Sequence, residues 1–277
     1  MSKASTRVQF TPYEISMCLY DVHRTRLWKQ AIEDLVRPGD VVVDAGAGTG
    51  ILSVFAALDG AARVHAVELH PRFVALIEHM AARNGLSDRV HVHHADASQL
   101  ELPEPADLLI CELLCTGQFF EPEVQVINHL RQFLAPGGRI LPRKVESFLQ
   151  LLDAQEELYG VRIDTDSRSD LLAGDEPVST RTLYDVIYLT QPVEPARVDT
   201  SVVVRARKTR VADAVVITSR AWLTEDLVTE RTRFLYNPEV IFLKEPVHLV
   251  EDETYRVDIA YDYGCDTLDV ELAVTPA

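Results

Sequence analysis

Strand-like and helix-like patterns take turns through the first half of this chain. Residues 13–36 carry apolar positions at helical spacing (Leu19, Val22, Leu27, Ala31, Ile32 and Leu35), which predicts one or two short amphipathic helices ended by Pro38-Gly39-Asp40. The β-branched run Val41-Val42-Val43 reads as a buried strand. A helix at 51–58, a strand at 63–67 and a helix at 72–83 follow, the last stopped by Asn84-Gly85. Strands at 90–93 and 106–111 come next, then a helix at 123–134 closed by Pro136-Gly137-Gly138 and a strand that starts at 139–141. Strands that alternate with helices across short links predict a doubly wound parallel sheet, an α/β layer covered on both faces.

After Pro142 the pattern changes. Residues 145–153, 184–189, 201–205, 215–223, 240–243, 255–261 and 268–274 are short runs rich in Val, Ile, Tyr, Thr and Phe, separated by Pro, Asp and Gly. They predict an antiparallel β-barrel or sandwich. Trp222 and Phe242 read as its core. The polar, strand-poor stretch 154–181 reads as an inserted arm, and the domain boundary falls near residue 143, giving domains at 1–143 and 144–277.

The 277 residues suffice for two modest cores, and 47% apolar with 25% charged residues is ordinary globular composition. Asp and Glu outnumber Lys and Arg 43 to 27, for a net charge of −16. A field of that sign disfavours nucleic acid and anionic membrane and favours cationic partners, and it serves equally well as a solubilising surface. Cys18, Cys111, Cys115 and Cys265 form no Cys-x-x-Cys pair, and Met-Ser-Lys-Ala-Ser-Thr is not an apolar leader, so reduced thiols in a cytoplasmic protein are expected. His91, His93 and His94 lie on or beside a strand without a partner set at ligand spacing, and no metal is expected there.

Asp44-Ala45-Gly46-Ala47-Gly48-Thr49-Gly50 leaves a buried strand and opens a helix. Its glycines allow a sharp turn and a close backbone approach to a ligand, and the helix start presents free N–H groups. The spacing is Gly-x-Gly-x-Gly, and Asp44 precedes it where a pyrophosphate would be repelled and an amino group welcomed. Glu68, at the end of the second strand, can accept hydrogen bonds from both ribose hydroxyls. Asp96, after the third strand, stands either at the adenine or as a helix cap.

The glycine loop, Glu68 and Asp96 together resemble the class I S-adenosylmethionine-dependent methyltransferases, which implies S-adenosylmethionine as cofactor. A narrower resemblance runs from about residue 13 to the C-terminus. Asp21-Val22-His23-Arg24-Thr25-Arg26-Leu27-Trp28, Gly50-Ile51-Leu52-Ser53-Val54-Phe55-Ala56-Ala57, Cys111-Glu112 with Glu121 nine residues on, and Val240-Ile241-Phe242-Leu243-Lys244-Glu245-Pro246 are similar to the protein arginine methyltransferase family.

That resemblance implies that Arg24 clamps the cofactor carboxylate and that Glu112 and Glu121 are paired catalytic glutamates gripping a guanidinium. Two carboxylates can hold such a planar cation from two sides and leave one nitrogen facing the methyl group. If no cation is bound, two crowded carboxylates raise one pKa. The resemblance also implies cofactor contacts from Gly46, Gly48, Gly50 and the adenine-side position Ser98, and a homodimer built through 154–181. The chain departs from the family where its Thr-His-Trp element falls on Phe234-Leu235-Tyr236, where Met-Leu is Cys18-Leu19, where a cofactor-touching His falls near Ile15, and where Leu113-Leu114-Cys115 replace aromatic residues. The expected activity is methyl transfer to a guanidinium nitrogen of free, peptide or protein arginine. A natural-product N- or O-methyltransferase and an inactive scaffold are the alternatives.

Overall fold

The computed structural model describes residues 11–154, 157–163 and 165–277. The first ten residues, on which the leader reading falls, and Gln155, Glu156 and Asp164 of the expected arm lie outside the described residues.

The N-terminal apolar pattern resolves into two helices, each started by a side chain that accepts from the first turn. Helix α1 (Pro12–Leu19) opens on a capping box, with Thr11 and Glu14 satisfying each other's backbone N–H groups. Helix α2 (Val22–Leu35) is capped by Asp21, which accepts from the Arg24 N–H at 3.2 Å. The buried face of α2 is Arg24, Trp28, Ala31 and Ile32. Val22, expected on that face, is 56% exposed, because Asp21 turns the chain and starts the helix with Val22 outward.

The parallel layer follows: β1 (Val41–Ala45), α3 (Ile51–Leu58), β2 (Arg63–Glu68), α4 (Pro71–Arg83), β3 (Val90–His94), β4 (Ala106–Cys111), α5 (Glu123–Leu130) and β5 (Leu134–Leu141). The order is β3-β2-β1-β4-β5, with every neighbouring pair parallel. The order reverses beside β1, so the carboxyl ends of β1 and β4 border the crevice where open α/β sheets bind ligands. The expected helix at 123–134 is shorter. It gives way to a 3₁₀ turn at Arg131–Phe133, and Pro136-Gly137-Gly138 falls inside β5, where a register break opposite β4 absorbs Gly137 at φ +81°.

The second half is antiparallel. Strand β6 (Lys144–Asp153) is followed by a hairpin of β7 (Glu157–Leu158) and β8 (Val161–Arg162), then by β9 (Ser167–Ser169), β10 (Glu176–Pro177), β11 (Thr182–Tyr188), β12 (Arg197–Arg205), β13 (Arg210–Trp222), β14 (Val228–Thr229), β15 (Glu239–Leu249), β16 (Thr254–Asp262) and β17 (Glu271–Pro276). A seven-stranded sheet runs β10-β6-β13-β15-β9, with β11 on β6 and β14 on β13, and a three-stranded sheet runs β12-β16-β17. The Tyr184 and Tyr261 hydroxyls, 2.8 Å apart, bond one sheet to the other. The stretch 154–181 is therefore more ordered than a strand-poor arm. Among its described residues, β9 and β10 edge the large sheet, and β7 and β8 pair with each other as a separate hairpin, with Tyr159 98% exposed. Trp222 lies outside the core, whereas Phe242 packs against the edge of the buried cluster of Leu152, Ala154, Ala214, Val216 and Val240. Both are half-buried and roofed by cations, Lys144 over Trp222 and Arg168 over Phe242.

Candidate active site

A cavity of about 520 Å³ opens at the carboxyl ends of β1, β2 and β4. Among the residues singled out from sequence, Arg24, Gly46, Gly48, Glu68, Asp96, Glu112 and Glu121 line it. Asp44, Gly50 and Ser98 do not.

The glycine loop is held by the strand beside it. The N–H groups of Gly46 and Ala47 donate to the Val67 carbonyl at 3.0 and 2.9 Å, folding the loop back over β2. Gly46 sits at φ +75°, and a Cβ there would meet Leu113 Cδ2 at 2.6 Å. A side chain at this point would both strain the turn and close the gap between the two strand ends. Gly50 has a different reason. A Cβ on it would meet Ile77 Cγ1 at 2.7 Å, so its glycine lets α3 start against α4. Asp44 is fully enclosed and accepts from the Ser53 hydroxyl at 2.6 Å, and burial pushes its carboxyl up to about 6 despite that bond.

Glu68 accepts the Gly48 N–H on one oxygen and the His70 N–H on the other, both at 2.7 Å. These bonds aim its carboxylate at the loop and leave further lone pairs toward the cavity. Asp96 accepts from the Ser98 N–H and hydroxyl, at 2.9 and 2.7 Å. Ser98 thus acts through Asp96 and fixes its rotamer. No helix follows Asp96, so the helix-cap reading does not hold; its carboxylate instead closes a turn over residues 97–99.

The acceptor loop, 112–122, is positioned by the antiparallel half. The Thr116 hydroxyl donates to the Asn237 carbonyl at 2.7 Å, the Gly117 N–H to the Ser219 hydroxyl at 2.9 Å, and the Phe120 N–H to the Cys265 carbonyl at 2.8 Å. The Gly264 N–H returns a bond to the Gln118 carbonyl at 2.7 Å. Pinned at four points, the loop brings Glu121 back to the cavity that Glu112 enters from β4.

Glu112 has a partner that sequence reasoning did not assign to it. Arg24 approaches fork-on, Nε to Oε1 at 3.1 Å and Nη2 to Oε2. Burial raises the Glu112 carboxyl from its ordinary range, and Arg24 opposes that rise. Burial, then the Glu112 charge, pushes Glu121 up to about 8. The direction is the one expected of crowded carboxylates, but desolvation is the larger cause. Glu123, which sequence reasoning placed only as the first residue of a helix, is wholly buried beside them.

The other departures fall into place around the same cavity. Ile15, Cys18 and Leu19 of α1 line it, as does Phe234. Leu235 and Tyr236 are buried. Asp21 ties the two halves together by accepting from the Phe234 N–H at 2.9 Å and from the Thr232 hydroxyl. The Cys18 thiol is pushed up to about 12 by burial, Glu112 adding to the rise, and burial also raises Cys111 and Cys115, so none is a thiolate. The histidines form a small stack instead of a ligand set. His65 Nδ1 and His93 Nε2 are 2.9 Å apart, His65 Nε2 meets Glu104 at 3.2 Å, and burial lowers the pKa of both rings. Among the described residues no group of three His, Cys, Asp or Glu has the geometry of a metal site.

Comparison with known proteins bears on the fold and the family. A family model described as ribosomal protein L11 methyltransferase matches residues 22–142. An uncharacterized protein of Methanocaldococcus jannaschii is 30% identical over 258 residues, covering 92% of this chain and 93% of that protein. Protein arginine N-methyltransferase 6 of Xenopus laevis is 36% identical over 156 residues, 51% of this chain and 46% of its own length. The chain thus spans about half the length of the curated arginine methyltransferases it matches. Among solved structures, a Trypanosoma brucei PRMT1 enzyme–prozyme heterotetrameric complex with AdoHcy superposes with a TM-score of 0.76 at 17% identity, covering 95% of this chain and 97% of that one. Arabidopsis thaliana protein arginine methyltransferase 10 gives 0.72 at 18%, covering 88% and 86%. At such identities the structural likeness establishes the shared fold. The chain belongs to the family of the Methanocaldococcus protein, a divergent, arginine-methyltransferase-like branch of the class I S-adenosylmethionine-dependent methyltransferases.

Proposed function

We propose that this enzyme transfers a methyl group to a guanidinium nitrogen of arginine, whether free, in a peptide or in a protein. The observation that carries the reading is that Glu112 and Glu121, nine residues apart in sequence, line one cavity together with Arg24 and the glycine loop. The arginine N-methyltransferase names of the relatives that match half of the chain point the same way.

The cavity suits the donor. A glycine turn at 46 and 48 on the cavity wall, an acid at the end of β2 and a buried arginine fit a ligand with a ribose and a carboxylate. Bound S-adenosylmethionine supplies a methyl group already activated on a sulfonium sulfur. Arg24 would hold the amino-acid carboxylate with the donors it does not use on Glu112, and Glu68 would accept from the ribose hydroxyls. Asp96, seated by Ser98, would face the adenine, and Gly46 and Gly48 would give the backbone its approach.

The chain's own work is then to bind and orient the acceptor. Glu121 and the remaining lone pairs of Glu112 would grip the guanidinium and turn one nitrogen toward the methyl group, the geometric constraint that dominates such a transfer. A methylated nitrogen gives up one N–H proton. Glu121, whose carboxyl Arg24 does not engage, would be the group to take it once the cation favours its charged form. Asp21, by tying α2 to residues 232–234, would keep water out of the same space.

Transfer of labelled methyl to free arginine and to arginine peptides, in the wild type and in Glu112→Gln, tests the reading. Label on the guanidino group that falls at least 100-fold in the variant supports it. Label found only on amines or hydroxyls overturns it. We further infer that two copies associate through the separate β7–β8 hairpin, in the cytoplasm. A gel-filtration mass near the 31.0 kDa of one chain at micromolar concentration would exclude that dimer.

A further inference from the structure

A second cavity, of about 600 Å³, lies where the two halves of the chain meet. The first cavity opens at the carboxyl ends of the parallel strands. This one lies toward their amino ends, where Arg139 on its wall reaches across to Asp40, just before β1. The parallel half supplies the end of α2, Arg131 and part of β5, and the antiparallel half supplies the β13–β14 turn. No step of the proposed reaction uses this space, yet its volume falls within the roughly 300–1,000 Å³ of cavities that hold small molecules.

Its charges are sorted by depth. Asp34, Glu225 and Asp226 are exposed and form the rim, whereas Arg131, Arg139 and Arg143 are partly buried and form the wall. Arg139 is already satisfied, by the Asp40 carboxylate at 2.7 Å and by the Leu35 and Asp107 carbonyls. Arg131 is not. Its Nη2 is shared between the carbonyls of Leu189 and Gln191, both at 2.8 Å, and among the described residues no carboxylate pairs with it. Burial lowers its pKa, and no acid opposes that fall. A charge withdrawn from water is ordinarily paired, so Arg131 brings an uncompensated cation and spare N–H donors to the wall.

Arg143 is engaged only at the rim. Its Nη1 meets Glu225 Oε1 at 2.7 Å, and the Glu225 side chain is 79% exposed. A surface pair of this kind contributes little and exchanges easily. The backbone meanwhile holds the two arginines together. Leu189 accepts from Arg131 on its carbonyl and donates its N–H to the Arg143 carbonyl at 2.9 Å. In the β13–β14 turn the Thr224 hydroxyl oxygen accepts from the Leu227 N–H at 3.1 Å, which leaves its own O–H to donate.

We propose that this cavity is a second ligand site, for a small-molecule anion whose carboxylate or phosphate head sits between Arg131 and Arg143 in place of Glu225. Guanidinium forks match the lone pairs of an oxyanion, and Leu35, Leu134 and Ile140 offer apolar surface to the rest of the molecule. Glu225 is then the chain's own occupant of the position, released to water when the ligand enters. The site stands apart from the acceptor chemistry at Glu112 and Glu121.

The test uses the full chain, with S-adenosylhomocysteine added to saturation to occupy the first cavity. Three probes are read by the broadening of their ring-proton NMR lines: phenyl phosphate, benzoate and the neutral benzyl alcohol. At least one anion is expected to bind the wild type about tenfold or more tightly than benzyl alcohol, and the better of the two tells phosphate from carboxylate. Arg143→Gln is expected to weaken that anion about 10- to 100-fold, the range for lost hydrogen bonds to a charged group. Glu225→Gln removes the competing carboxylate and should tighten it about two- to fivefold. Glu78→Gln, which removes an exposed acid from α4, should leave it unchanged. S-adenosylhomocysteine affinity within twofold in each variant shows that the fold is kept, and the Glu225 variant decides the matter if the Arg143 variant does not fold. Anions that bind no better than benzyl alcohol, an Arg143 variant that binds like the wild type, or equal tightening in the Glu78 and Glu225 variants would each overturn the site.

Discussion

Single side chains in this protein carry distinct constraints that look alike in sequence. Gly46 and Gly50 belong to one motif, yet one abuts Leu113 on the cavity wall and the other abuts Ile77 in the helix layer. Gly46→Ala should therefore weaken S-adenosylmethionine binding about tenfold or more, with a modest loss of stability. Gly50→Ala should cost about 1–3 kcal/mol of stability, as overpacking does. Calorimetry and thermal melts of the two variants would separate these effects. Arg24 and Glu112 make the complementary case. Arg24 is 4% exposed, and its removal strands a buried carboxylate, so Arg24→Ala should cost about 3 kcal/mol, whereas Glu112→Gln leaves the arginine a polar partner and should cost less. A melt in which the Gln variant is the less stable of the two would contradict the pairing. Neither the pairing nor the burial of Glu123 was legible in sequence, because each depends on which elements face each other. For Glu123 a signal did exist: it stands at i relative to Val126, Ile127 and Leu130 at i+3, i+4 and i+7, an acid on an apolar stripe.

Among the elements, the N-terminal helices and the acceptor loop are held by contacts from the other half of the chain. Asp21 caps α2 and also accepts from Thr232 and the Phe234 backbone. Asp21→Ala should lose the cap, about 1 kcal/mol, and should also release residues 232–234. Hydrogen exchange should then quicken in both places, and quickening confined to α2 would show that the tie carries nothing. Ser219→Ala removes the buried acceptor of the Gly117 N–H and should cost about 1–3 kcal/mol, with a loss of acceptor affinity larger than the loss of donor affinity. Element types and most boundaries followed from periodicity and punctuation. The failures occurred at Pro136-Gly137-Gly138, where two glycines bend a strand and do not end a helix, and at 154–181, where two- and three-residue strands are too short to show any period.

For the whole molecule, the buried acids set a pH dependence that the acidic composition would not suggest. Between about pH 4.5 and 8 the folded protein keeps on Glu121 a proton that the unfolded chain has released, so stability falls as pH rises through that window. Glu146 works in the opposite sense. Burial disfavours its charge, but hydrogen bonds from Lys144 and Arg220 outweigh that and hold it at about 2, so its stabilisation is complete above about 4.5 and fades as pH drops toward 2. Glu121→Gln should flatten the neutral-side slope and leave the acid side unchanged. Each kcal/mol recovered would raise Tm by roughly 2–4 °C in a chain near this size, and an identical neutral-side slope in wild type and variant would place the proton elsewhere. By itself, the order of apolar and polar residues determined the parallel α/β half, the antiparallel half and the glycine loop between strand and helix, because those features are written in local periodicity and turn chemistry. The tertiary structure alone decided that Arg24 meets Glu112, that Ser219, Asn237 and Cys265 return Glu121 to the cavity, and that Glu123 is shut away from water. Those outcomes depend on packing between residues from 88 to well over 100 positions apart, and no local pattern encodes a contact of that range.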